Sequence, residues 1–171
     1  MTPHANIAQM LGTAKLFSKL DEASRLDIAR QMREASFRAG QSIFARGDAG
    51  TEVYLVLEGR VRLSVLSSEG RELSFTHAER GDVFGEIAAL DGGVRTADAT
   101  AVTAVKAMTL SHTALKRLVQ TSPAFAEAAI AFLCSRIRET DLQLEGVALH
   151  RIEVRLARFL LGMLRQRHGV T

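Results

Sequence analysis

Gly81-Asp82-Val83-Phe84-Gly85-Glu86-Ile87-Ala88-Ala89-Leu90-Asp91-Gly92-Gly93-Val94-Arg95-Thr96-Ala97 divides this chain into two kinds of sequence. Upstream lie short apolar runs broken by glycine turns, and downstream the chain becomes mostly helical in pattern. Asp82, Val83 and Phe84 read as the end of a strand. Gly85 lets the backbone turn sharply or come close to a ligand. Ile87 to Leu90 form a single helical turn, which leaves the amides near Glu86 to Ala88 as unpaired donors at a helix start, where an anion is favoured. Glu86 alone would repel a phosphate, so its carboxylate is better suited to accept from hydroxyls such as those of a ribose. Arg95 stands nine positions after Glu86, past Asp91-Gly92-Gly93. It can return over that loop and pair with a phosphate. Thr96 adds a hydroxyl donor beside it. One anion site, one hydroxyl acceptor and one arginine fit a small sugar phosphate. The same residues also have an ordinary reading, since Gly-Glu is a common dipeptide and an isolated Arg-Thr is usually surface.

Phe84-Gly85-Glu86-Ile87-Ala88, followed by Arg95-Thr96-Ala97, resembles the phosphate-binding cassette of cyclic-nucleotide-binding domains. Gly59, Gly70 and Gly81 resemble the turn glycines of that family's β-roll. The helices beyond are most similar to one branch, the bacterial cyclic-AMP receptor protein and fumarate-nitrate regulator family (CRP/FNR). The resemblance covers about residues 14 to 165. It implies a cyclic nucleotide with its phosphate on the amides of Gly85, Glu86, Ile87 and Ala88 and on Arg95 and Thr96. The ribose hydroxyl would meet Glu86, and the base would pack near Leu63 and Phe75.

Composition narrows the field independently. A chain of 171 residues suggests one domain with a helical appendage, and a hydrophobic share of 47% supports a real core. No run approaches the length of a membrane span. Met1 to Gln9 lack the basic start and apolar core of a secretory signal. Cys134 is the single cysteine, which excludes an intramolecular disulfide and a cysteine-ligated iron–sulfur cluster. A cytoplasmic location is the resulting expectation. The net charge of +3 is unevenly placed: residues 1 to 135 balance 15 Lys/Arg against 15 Asp/Glu, and residues 136 to 171 hold 7 Arg against 4 acids. Such an excess suits approach to nucleic acid and equally a solvated helix face.

Strand and turn signals fill the N-terminal half. Asp21 is a candidate N-cap for a helix over Glu22 to Glu34, with Leu26, Ile28, Ala29 and Met32 on one side. Strands follow over Ser42 to Ala45, Val53 to Leu57, Arg60 to Leu66 and Leu73 to His77. After the cassette come Asp98 to Val102 and Ala104 to Leu110. Turns about every eleven residues predict a β-roll or jelly roll. Jelly rolls also house metals, but His4, His77, His112, His150 and His168 have no ligand spacing, so no metal is expected. No nucleophile–base pair or carboxylate pair is visible either, and an enzyme is not expected.

Ser111 reads as the cap of a helix over His112 to Gln120, and Pro123 opens the longest helix. Ile130, Leu133, Ile137, Thr140, Leu144 and Val147 recur in steps of three and four, a heptad seam with charged flanks. It predicts a parallel helix pair and hence a homodimer, with packing on the roll as the alternative. The resemblance adds that Thr140 falls where cyclic-AMP-responsive members carry a threonine that hydrogen-bonds the adenine amino group. Asp141 falls where they carry a serine reaching from the second subunit, so the aspartate is a departure. Thr96 keeps cyclic GMP, and a cyclic dinucleotide, as alternatives, because a threonine beside the arginine favours guanine in some of these domains.

The expected fold class is therefore α+β, a β-roll cyclic-nucleotide-binding domain with flanking helices and a long dimerisation helix. The expected organisation is 1–122 for the roll with its N-terminal helices, 123–149 for the dimerisation helix, hinged near Gly146 to Leu149, and 150–171 for the first helix of a truncated DNA-binding domain. DNA would be met only through a helix-turn-helix that these 171 residues do not include; a piece of a longer regulator is expected, with a sensor-only module as the alternative. The expected effector is cyclic AMP. The alternative from another functional class is an interaction module with a non-nucleotide effector.

Overall fold

The computed structural model describes residues 3–67 and 69–149. In chain order they form α1 (Pro3–Thr13), α2 (Glu22–Gln31), β1 (Arg33–Phe37), β2 (Ser42–Phe44), β3 (Glu52–Glu58), β4 (Val61–Leu66), β5 (Glu72–Ala78), β6 (Val83–Phe84), α3 (Glu86–Asp91), β7 (Asp98–Ala101), β8 (Val105–Ser111), α4 (His112–Thr121) and α5 (Pro123–Leu149). The chain divides into two compact units, residues 1–129 and 130–171.

The first unit is an α+β fold built on two four-stranded antiparallel sheets, ordered β1-β8-β3-β6 and β2-β7-β4-β5. Successive side chains of a strand point to opposite faces. Tyr54 and Val56 of β3 and Val61 and Leu63 of β4 accordingly enter one core, together with Phe84 and Ala99. Val53 and Leu55 point the other way and are buried too. Helices account for this: α3 packs on β3 and α4 on β8. That double cover is why the Val53 to Leu57 run reads as continuously apolar rather than alternating.

Two caps place the helices. Asp21 accepts a hydrogen bond from the Ser24 amide at 2.7 Å and starts α2, as its position predicts. Ser111 accepts from the Ala114 amide at 3.2 Å and starts α4. The C-terminal end of α2 departs from expectation. The helix stops at Gln31, three residues short of Glu34, and Met32 is already extended. Arg33 to Phe37 instead pair with Val105 to Thr109 of β8. A partner strand distant in sequence gives these backbone groups their hydrogen bonds, and that outweighs the local helical spacing. At the far end, the Phe17 and Phe125 rings lie 5.7 Å apart in the core, tying the N-terminal segment to the first turn of α5.

The second unit holds the rest of α5. Arg136 lies over the Phe132 ring at 5.7 Å and pairs with Glu139 at 3.6 Å. Ile130, Ile137 and Leu144 are 63%, 60% and 61% exposed. Three large apolar side chains spaced by seven are thus left open to solvent in the single chain. The backbone stays helical through Gly146 to Leu149, the segment expected to hold a hinge. The expected helix over 150–171 lies outside the described residues.

Candidate functional site

The cassette is held by its own turn chemistry. Strand β6 pairs with β3 through Tyr54↔Phe84 and Leu55↔Val83, and it ends directly in α3. Gly85 makes the corner with φ of 75°, the left-handed region that side chains disfavour. A Cβ at Gly85 would also stand 2.7 Å from the Arg95 Nη1. A second close approach occurs at Gly50, where a Cβ would meet the Ala88 Cβ at 2.0 Å. Glycine there lets the turn before β3 lie against α3. The first amides of α3 have no acceptor within the helix.

The loop after α3 returns to the same turn. The Arg95 amide donates to the Asp48 carbonyl at 2.8 Å, and the Gly47 amide donates to the Arg95 carbonyl at 2.9 Å. Ala49 and Val94 form an antiparallel bridge, and the Gly50 amide donates to Gly93. This lacing fixes the backbone on which the Arg95 side chain hangs.

That side chain is the centre of the site. Arg95 is only 3% exposed. Its Nη1 donates to the Gly85 carbonyl at 2.8 Å. Its guanidinium lies 4.2 Å from the Phe44 ring centroid and 5.6 Å from that of Tyr54. Burial pulls its pKa down, while negative charge at Glu52, Asp48 and Glu86 opposes that shift. Its buried Nε has no hydrogen-bond partner among the described residues. A desolvated cationic donor left without a partner is costly, so the group is prepared for an anion.

The other expected residues are distributed as follows. Glu86 is buried at the first position of α3 and Ala88 is buried two residues on, while Ile87 between them is exposed. Thr96 is exposed beside Arg95. Leu63 is buried in the sheet core, and Phe75 is 41% exposed on the neighbouring strand. The register steps from Leu63↔Thr76 to Ser64↔Ser74, which makes Phe75 the extra residue of a β-bulge. Thr140 and Asp141 are exposed on α5 in the second unit, and the Thr140 hydroxyl donates to the Arg136 carbonyl at 2.9 Å. The structure therefore gathers Gly85, Glu86, Ala88 and Arg95 into one cluster.

Sequence reading missed the arginine's surroundings. Phe44 and Tyr54 appeared only as strand residues. The signal available was the Arg46-Gly47-Asp48-Ala49-Gly50 cluster two residues after Phe44, whose second glycine marks a close backbone approach.

Comparison with known proteins bears on this geometry. The profile of the family described as "Cyclic nucleotide-binding domain" matches residues 34–122. The chain is 29% identical over 161 residues to a CRP-like cAMP-activated global transcriptional regulator of Mycobacterium tuberculosis, covering 94% of this chain and 71% of that one. Among solved structures it is similar to the Thermus thermophilus catabolite activator protein, with a TM-score of 0.72, 32% identity, and coverage of 89% of this chain and 71% of that one. The N-terminal domain of a transcriptional regulator from Streptomyces coelicolor gives 0.66 at 32% identity, covering 79% of this chain and 94% of that one.

Proposed function

The chain belongs to the cyclic nucleotide-binding domain family, related to the CRP/FNR regulators, and from that premise we propose that it senses cyclic AMP. It is a binding module rather than an enzyme. One observation carries the ligand reading: a guanidinium 3% exposed, stacked on Phe44, whose Nε has no hydrogen-bond partner among the described residues. The single negative charge of a cyclic phosphate matches that one cation, so no net charge is buried uncompensated. The amides of Gly85 to Ala88 and the Thr96 hydroxyl complete the phosphate contacts. Glu86 accepts from the ribose hydroxyl. The base packs near Leu63 and Phe75.

The apolar seam of α5 supports a homodimer, and in a longer regulator the nucleotide would bias this helix and the segment beyond it toward or away from DNA binding. Ligand shifts that equilibrium only as far as its affinities for the two states differ. The organisation that follows is 1–122 as sensor, 123–149 as dimerisation helix and 150–171 as the lead into a DNA-binding domain, with the protein in the cytoplasm. Thr96, exposed beside Arg95, favours a second reading in which cyclic GMP is the effector.

Calorimetric titration with cyclic AMP and, separately, cyclic GMP tests this. One nucleotide per chain is expected, and Arg95→Ala should weaken it about 100-fold, the size of two charge-assisted hydrogen bonds. Unchanged affinity in Arg95→Ala would remove the phosphate assignment. Binding of neither nucleotide would turn the reading to an interaction module with another effector.

A further inference from the structure

A helix of six residues has too few internal hydrogen bonds to hold its own position. Helix α3 is such a helix, and its C-terminal end is fastened from outside. Gly92 closes it with φ of 76° and donates its amide to the Ala88 carbonyl at 3.0 Å. The next carbonyl, that of Ala89, would take the Gly93 amide in a longer helix, but Gly93 donates to Asp91 Oδ1 at 2.7 Å. His112 supplies the donor instead. Its Nδ1 lies 2.7 Å from the Ala89 oxygen. Facing a carbonyl, that nitrogen carries the hydrogen and donates it.

His112 is itself held. It is the first residue of α4, after the Ser111 cap, and its amide donates to the Thr51 carbonyl at 2.7 Å. Thr51 follows Gly50, whose lack of a Cβ lets the turn before β3 lie on Ala88. The half-buried imidazole lies along Gly92, where a Cβ would stand 3.4 Å from the ring Cε1. Helix α3 is thus held at Ala88 by packing and at Ala89 by a hydrogen bond from α4. From Ala89 the connection runs inward. The Ala89 amide donates to the Gly85 carbonyl at 3.4 Å, and the same carbonyl accepts from Arg95 Nη1 at 2.8 Å. Hydrogen bonds therefore join His112 to the buried guanidinium through one turn of α3.

We propose, building on the nucleotide reading above, that His112 is a positioning residue of the Arg95 anion site. It acts through α3 rather than on the ligand. By fixing Ala89 it fixes the Gly85 carbonyl, and that carbonyl holds the guanidinium where a phosphate meets it. Without the bond, α3 and the guanidinium must be ordered when the ligand arrives, and that ordering is subtracted from affinity. What the position requires is an N–H donor at one point, not a ring and not a charge.

The test titrates wild type, His112→Phe, His112→Asn and His112→Gln with cyclic AMP. It also records, for each protein without ligand, the Arg95 Nε–H resonance and the exchange of the Gly92 amide with water. Phe keeps a ring and removes the donor. Asn carries its N–H on the γ-carbon, as His carries Nδ1, and Gln carries it one bond further out. His112→Phe and His112→Gln should bind about fivefold more weakly, the size of one net hydrogen bond. His112→Asn should stay within about twofold of wild type. The Gly92 amide should exchange about fivefold faster in His112→Phe, and the Arg95 Nε–H should shift. Both should return toward wild type in His112→Asn. A merely structural role would lower the melting temperature of His112→Phe and leave affinity and the Arg95 resonance unmoved, and that result would overturn the proposal. Asn binding as weakly as Phe would overturn it too. If wild type binds no cyclic nucleotide, the proposed function fails by itself. The ligand-free readings then decide the role of His112, and an unmoved Arg95 signal in His112→Phe would sink it.

Discussion

Arg95 and Gly85 depend on each other. The arginine reaches the core only because residue 85 has no side chain, and its Nη1 is then held by the carbonyl of that same glycine. Gly85→Ala would force a Cβ into the left-handed region, which costs about 1–2 kcal/mol for an L-residue, and would press on the guanidinium. The variant should melt at a lower temperature than wild type and bind cyclic nucleotide more weakly, read by thermal denaturation and calorimetry. Gly85, Glu86 and Arg95 were singled out in the sequence by their residue types and short spacing, together with the family resemblance those residues carry. Phe44 and Tyr54 were not, since nothing local distinguishes a ring that stacks under a cation from a ring in a strand.

Helices α2 and α5 show the same division one level up. The cap of α2 was legible, and its pH dependence follows. The Ser24 amide, then the Ser24 hydroxyl, lower the Asp21 carboxyl from its ordinary value of 3.8. The folded chain therefore holds that proton less readily than the unfolded chain. The stabilisation is fully present above about pH 3.8 and is lost as pH falls through the lower folded value. Asp21→Ala should lower the thermal midpoint at neutral pH, with the difference from wild type shrinking at the acid end of a melting series. The end of α2 was not legible, because β8 claims Arg33 to Phe37. In α5 the seam was legible as a period, and the structure adds that Ile130, Ile137 and Leu144 are open to solvent in one chain. Ile137→Asp should convert a dimer to a monomer in analytical ultracentrifugation. A wild-type monomer in the same measurement would end the dimer reading.

For the molecule as a whole, binding and folding are linked. A ligand that binds only the folded state at 100 times its dissociation constant stabilises it by about 2.7 kcal/mol. For a chain of this size that raises the melting temperature by about 5–10 °C. Cyclic AMP should produce such a rise in wild type and only about 1 °C in Arg95→Ala, in parallel melts at matched concentration. The sequence by itself determined the starts of α2, α4 and α5, the glycine turns, the cassette helix and the α5 period, because each rests on interactions within a few residues or on a simple repeat. The tertiary structure alone decided that residues 33–37 are a strand, how the eight strands order into two sheets, and that Arg95 lies buried against Phe44 and Tyr54. Those outcomes depend on hydrogen bonds and ring contacts between residues distant along the chain, where no local propensity records the partner.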